Sequence, residues 1–237
     1  MRFPGHDPHH REDIVIGPLD LPSRVDEALA VQAVAFGLGA DEIAVRRQIV
    51  LRHMTYPGAR ALGATTPDGR LVGFVYGMPN DRTHWWSTIV EPYLRAQGLD
   101  DWLDNSFVIT ELHVHPRYQN RGIGRVLITA ITDTADEPRS ILSAIDTDSP
   151  ARGLYHSLGY VDLARQVLFP SAPKPYAVMG APSRSAAAVN RFPPSGTARL
   201  TSLPSPSPLS ASHERGDPHP AGVRERWRTH RSSACPS

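Results

Sequence analysis

Glu111-Leu-His-Val-His-Pro-Arg-Tyr-Gln-Asn-Arg-Gly-Ile-Gly-Arg125 carries a strand-like run through a loop of arginines and glycines into a helical pattern. The first amides of a helix have no intrahelical partner. Glycines beside them let an anion reach exposed N–H groups, where the helix dipole also favours negative charge. Arg117, Arg121 and Arg125 add positive charge around the same bend. The stretch therefore reads as a phosphate cradle, although a Gly-x-Gly taken alone fits any tight loop before a helix.

Working outward, Ser106 to Val114 is the central strand, and residues Ile123 to Ala135 form the next helix with Ile123, Leu127, Ala130 and Ile131 as its buried stripe. Glu137-Pro138 closes it, and Ser140 to Ile145 is a short apolar strand of the kind covered on both faces. The two strands and their helix make a right-handed βαβ unit. Next, Asp148-Ser149-Pro150 sets a capping side chain before a proline at the first helical position, so Ala151 to Leu158 is a two-turn helix ended by Gly159. Tyr160 to Phe169 and Tyr176 to Met179 read as the last strands.

Upstream, Ile14 to Ile16 is a short strand. Ser23 can cap a helix with Val25, Leu29 and Phe36 at helical spacing, ended by Gly37 and Gly39. Asp41 caps a second helix with Ile43, Val50 and Met54 on one face and Arg46 and Arg47 toward solvent, stopped by Pro57 and Gly58. Arg60 to Thr66 and Leu71 to Tyr76 form an antiparallel hairpin through Thr-Pro-Asp-Gly, where Gly69 supplies a positive φ. Trp85, Trp86, Tyr93 and Trp102 follow, with helix expected over Val90 to Leu103; these aromatics pack a core corner, line a substrate, or both.

The chain has 237 residues and a net charge of +1, a length for one domain with extras or two small ones and a charge that argues for neither nucleic acid nor an anionic membrane as partner. Composition chooses the first: residues 1–12 and 181–237, the latter rich in Pro, Ser and Arg, are expected to be disordered, leaving a folded domain at 13–180. The single cysteine, Cys235, excludes an intrachain disulfide. No run approaches the roughly 18–20 apolar residues of a membrane span, and the N-terminus lacks a signal peptide's apolar core. A cytoplasmic location is expected.

Gln119, Gly122 and Gly124 fit Gln/Arg-x-x-Gly-x-Gly/Ala directly after a strand, and Asp148-Ser-Pro-Ala-Arg-Gly-Leu-Tyr155 with Gly159-Tyr160 fits Asn-x-x-Ala-x-x-x-Tyr followed by Gly-Phe/Tyr. In both, the chain resembles the GNAT N-acetyltransferase family. The likeness spans about 13–180 and is strongest from 106 to 162; Asp148 departs from the family's Asn and, ionised, donates no hydrogen bond. The resemblance implies an α/β fold whose mixed central sheet has two splayed strands flanked by helices. It also implies direct acetyl transfer from acetyl-CoA to an amine of a small molecule or peptide, by a monomer or homodimer.

It further implies cofactor contacts from Leu112, His113 and Val114 on the strand, from Gln119, Asn120, Arg121, Gly122, Ile123, Gly124 and Arg125 in the loop, and from Asp148. Glu111 is the candidate base, with His113 the alternative, since a protonated amine must lose a proton before attack. Tyr155 is the candidate acid for the departing thiolate, and a main-chain amide near Val114 is the candidate oxyanion donor. Period two puts Glu111, His113 and His115 on one face, but such residues spread by about 6.6 Å per two steps, so no metal site is expected.

Other readings compete. A non-catalytic acyl-CoA binding or sensing module would keep the same fold. A dinucleotide-binding half domain would use Asp146 on a ribose, but Leu127 stands where the third glycine belongs. A Walker-type site lacks Gly-Lys-Ser/Thr.

Overall fold

The computed structural model describes residues 13–170 and 172–183; the expectations for residues 1–12 and for the tail beyond 183 lie outside the described residues. Seven strands make one mixed sheet: β1 (Val15–Pro18), β2 (Arg60–Thr65), β3 (Leu71–Pro79), β4 (Ser106–Val114), β5 (Arg139–Ile145), β6 (Val161–Val167) and β7 (Tyr176–Pro182), in the order β1-β2-β3-β4-β5-β7-β6. The fold is the α/β one expected. β7 runs past the expected end at Met179 and takes in Ala181 and Pro182 from the segment expected to be disordered, because Ser140 and Arg139 of β5 still pair with them.

Helices α1 (Val25–Phe36) and α2 (Ala40–His53) cover one face over β1–β3, where Leu29, Val50, Phe74 and Tyr76 are buried together. On the same face, α3 (Trp85–Ala96) covers β5, β7 and β6, burying Val90 and Leu94 against Ile141 and Val178. α4 (Ile123–Asp133) covers the other face, and α5 (Pro150–Ser157) adds Tyr155 there. Leu127, Ile128 and Ile131 of α4 are almost wholly enclosed, each contributing about 1.5–3 kcal/mol by burial.

Several local expectations are corrected. Ser23 does not cap α1; its hydroxyl donates to the Asp20 carbonyl in a preceding turn, leaving Arg24 at the cap. Gly39, not Asp41, begins α2, and the Glu42 carboxylate accepts from the Gly39 N–H at 3.1 Å. Helix in the tryptophan segment starts earlier than expected, at Trp85, and ends at Ala96; Gly98 then takes φ +68° before a short 3₁₀ turn over Asp100–Leu103. Trp86 and Tyr93 pack against the core, Trp102 joins them from the 3₁₀ turn, and Trp85 stays 56% exposed.

Two irregularities in β4 place everything that follows. Its parallel pairing with β5 stops after three residues, Ser106–Val108 against Arg139–Ile141, so the two strands part beyond Val108. On the other side, Tyr76 pairs with Glu111 while the next residue, Gly77, pairs with Ile109, which leaves Thr110 as an extra residue in β4. Phe107 and Ile109 point to the α4 face. After the bulge the alternation is reset, and His113 meets Phe36 and Phe74 on the α1/α2 face.

Gly77 permits this bulge. A Cβ there would lie 2.5 Å from the Val108 carbonyl oxygen and 2.5 Å from the Phe107 ring. Gly77→Ala is expected to lower unfolding stability by about 1–3 kcal/mol through overpacking. An unchanged urea midpoint would show that the strand pair is not held this closely.

Candidate functional site

Where β4 leaves β5, it keeps a neighbouring strand on one side only. The His115 amide donates to Val72 of β3 at 2.8 Å, and with a period of two the Leu112 and Val114 amides point the other way, into the split. The Val114 carbonyl there accepts from the Gln119 side chain at 2.9 Å, which ties the start of the loop to the strand end. His115 departs from the expected shared face: the strand has ended, and its Nδ1 accepts from the Arg117 amide.

The loop then folds as the cradle reading requires. Asn120 and Gly122 both take positive φ, +59° and +81°, which turns the chain into the start of α4. The first helical bond runs from Val126 to the Gly122 carbonyl, so the amides of residues 122–125 precede any intrahelical pairing, and among the described residues no acceptor is recorded for them. A Cβ on Gly124 would meet only a Leu154 methyl at 3.4 Å and a Val114 methyl at 3.9 Å. The protein's own packing does not demand a glycine there, so the space it leaves is open to a ligand. Arg121 reaches back to the Arg117 carbonyl and lies over the Tyr118 ring, while Arg125 donates to Ser157 of α5 at 2.7 Å. Asp148, exposed in the β5–α5 loop, has no recorded side-chain bond among the described residues.

Glu111 sits on the α1/α2 side of the split with its side chain 26% exposed. His113, buried, brings Nε2 to 2.5 Å from Glu111 Oε2, and Arg46 of α2 brings Nη1 to 3.5 Å from Oε1. Burial pushes the Glu111 carboxyl upward. The His113 hydrogen bond, the charges of His113 and Arg46 and a hydrogen bond from Gln32 outweigh it, so the group is held below its ordinary value and is a carboxylate at neutral pH. Arg46 was expected to face solvent, and Gln32 was not singled out at all. Both belong to helices that meet β4 only in the folded chain.

Tyr155 comes from the opposite face. Its ring packs 5.8 Å from that of Tyr160, whose hydroxyl is 2.7 Å from Ser140 Oγ, and no partner for the Tyr155 hydroxyl is recorded among the described residues. Burial, and then the negative charge of Glu111, push the Tyr155 phenol up to about 12, so it keeps its proton at neutral pH. Ser149 caps its helix, accepting from the Arg152 amide at 3.3 Å. Ala151, on the same helix, is exposed.

An ion network secures α5. Asp146, at the end of β5 with no side-chain exposure, accepts from Arg165 and from the main and side chains of Gln166, with Arg152 at 3.5 Å. Arg152 in turn bonds Asp162 of β6 through a donor that lies 2.7 and 2.5 Å from its two oxygens. These bonds occupy the Asp146 carboxylate, which removes the ribose contact that a dinucleotide site would need. Among the described residues, no cluster of three or more His, Cys, Asp or Glu side chains could hold a metal ion, and no helix is long and apolar enough to cross a membrane.

Residues 60–162 match the acetyltransferase (GNAT) domain family. Over that span the chain is similar to the GNAT acetyltransferases. It is 28% identical over 196 residues to a GCN5-like protein acetyltransferase of Mycobacterium tuberculosis, covering 70% of this chain and 95% of that one. Its fold is similar to a GNAT-family structure from Desulfovibrio desulfuricans, with a TM-score of 0.55, 16% identity and coverage of 72% of this chain and 99% of the other. Ard1 from Thermoplasma volcanium is similar too, at a TM-score of 0.52 and 16% identity over 71% of this chain and 97% of that one. The family matched over residues 60–162 is one of acetyltransferases.

The Asp146 network gives a stability test. The Arg165 hydrogen bond, outweighing burial, holds the Asp146 carboxyl below its ordinary value. Its contribution is therefore present above the unfolded-state value, about pH 4, and is lost as the pH falls through the lower folded-state value. Asp146→Ala leaves Arg152 buried beside a missing partner and is expected to cost about 3 kcal/mol at pH 7. The loss should shrink in acid, and a pH-independent difference in denaturant midpoints would refute the electrostatic account.

Proposed function

We propose that this enzyme moves the acetyl group of acetyl-CoA directly to a primary amine of a peptide or protein, with Glu111 as base and Tyr155 as acid. The observation that carries the reading is the position of these two groups on opposite sides of the split between β4 and β5, beside the unpartnered amides at the start of α4. The name of the mycobacterial relative, a protein acetyltransferase, favours a peptide or protein amine over a small molecule.

Each residue has a defined task. The free amides of residues 122–125, reached past Gly124 and flanked by Arg121 and Arg125, bind the coenzyme's phosphates. Gln119, Asn120 and Ile123 set the loop's shape, and Asp148 lies at the rim as a weak contact, since an ionised carboxylate adds only an acceptor. Main-chain groups of Leu112, His113 and Val114 border the pantetheine arm, with the outward amides of Leu112 and Val114 available to a developing oxyanion; such a fixed donor contributes about 3 kcal/mol. Glu111, already ionised, accepts the amine proton directly or through one water. Tyr155, still protonated and with no acceptor for its hydroxyl among the described residues, gives its proton to the departing sulfur. No metal enters these steps, and the protein acts in the cytoplasm as a monomer or homodimer.

Glu111→Gln is expected to lower kcat by about 10²- to 10⁴-fold, and Tyr155→Phe by a similar or smaller factor, with coenzyme affinity unchanged. Thiol-release kinetics with a lysine peptide measure both, and full activity in either variant removes that residue from the chemistry. Gly124→Val fills the approach to the amides while meeting only the Leu154 and Val114 methyls. We expect at least tenfold weaker coenzyme binding by calorimetry with little change in melting temperature, and unaltered affinity would place the phosphates elsewhere.

A further inference from the structure

The two oxygens of Glu111 are held unequally. Oε2 takes a short bond from His113, whose ring is fixed between Phe36 and Phe74. Oε1 has the Arg46 guanidinium at 3.5 Å, the outer limit of a hydrogen bond, and the carboxylate takes a further hydrogen bond from Gln32. Arg46 is 36% exposed on α2, and its other donors have no recorded partner among the described residues. A guanidinium spends its several donors where it is built into a structure; this one rests against a single oxygen.

The cross-strand neighbour of Glu111 is Tyr76, whose hydroxyl lies 3.2 Å from His53 Nδ1. Burial, then the charge of Arg52, pushes His53 down to about 4, so it is neutral at pH 7 and its ring nitrogen can accept from the phenol. The Tyr76 oxygen is then left as an acceptor. The cluster thus presents oxygen acceptors and one loosely held cation.

Resting on Glu111 as the base, we propose that Arg46 occupies the place of the acceptor's ammonium group and is displaced by an incoming primary alkylammonium. The exchange replaces one cation by another beside the carboxylate, so the charge of Glu111 stays matched throughout. It also exchanges a group that cannot lose its proton for one that can, which is what transfer to the amine nitrogen requires. A half-exposed ion pair of this length is weak enough to yield. Arg46 is thereby a specificity-determining residue: it holds the base ionised between turnovers and admits only groups that compete as cations.

The test is calorimetric titration of 1,5-diaminopentane into the full chain saturated with coenzyme A, beside acetylation kinetics on a lysine peptide. Arg46→Ala should bind the diamine about two- to fivefold more tightly and lower KM for the peptide by a similar factor. Arg46→Lys should resemble the wild type, and Glu111→Gln should bind the diamine more weakly. Equal or weaker diamine binding in Arg46→Ala overturns the proposal, as does a failure of every form to bind. A Glu111→Gln protein that keeps its kcat would instead overturn the base assignment, while the calorimetry still judges the ammonium site.

Discussion

The site depends on one extra residue in β4. Without Thr110 as a bulge, strict alternation from Phe107 and Ile109 would send Glu111 into the apolar layer under α4. With it, Glu111 emerges on the α1/α2 face, while Leu112 and Val114 pack toward the α4 core and turn their amides into the split. Gly77 is the counterpart on β3, since only a residue without Cβ lets the Val108 carbonyl come so near. The bulge and the parting of β4 from β5 therefore act together: one aims the carboxylate, the other leaves main-chain donors unpaired beside it.

Charge is divided between the two sides of the split. On one, Glu111 is kept ionised by His113, Arg46 and Gln32 against the cost of its burial. On the other, Tyr155 is kept protonated by burial and by the charge of Glu111 itself. The carboxylate thus has two parts, as the base of the proposed transfer and as a charge that, after burial, helps hold the phenol in its acid form. Neither group is adjusted by its sequence neighbours alone, and removing the fold would return both toward ordinary values. Behind them, the Asp146–Arg152–Asp162 chain ties α5 to β5 and β6, so the phenol is carried on a helix that cannot drift without breaking buried ion pairs.

Much of this was legible in the residues. The span of β4 was read as Ser106 to Val114, as found, because an apolar run ended at a histidine and a proline. The hairpin between β2 and β3 followed from its turn residues, and the loop from Gln119 to Gly124 followed from glycine spacing before a helical stripe. The tryptophan segment was less legible. Pro92 and Gly98 blurred the helix period, and the boundary was decided by which rings could reach the core beneath α3. Arg46 was misread for a similar reason: a charged residue on the polar face of a helix looks solvent-directed until another element supplies its partner.

The sequence by itself determined the order of elements, the glycine loop before α4, the likeness to a known family and the choice of Glu111 and Tyr155 as candidates, because these rest on turn chemistry, periodicity and residue type within short windows. Only the tertiary structure decided the bulge at Thr110, the distance over which β4 and β5 stay paired, and the approach of Arg46 and Gln32 to Glu111. Each of these is a register or contact between segments distant in the chain. Alternation along one strand says which residues share a face, but only the strands and helices packed against it decide which face that is and what meets it there.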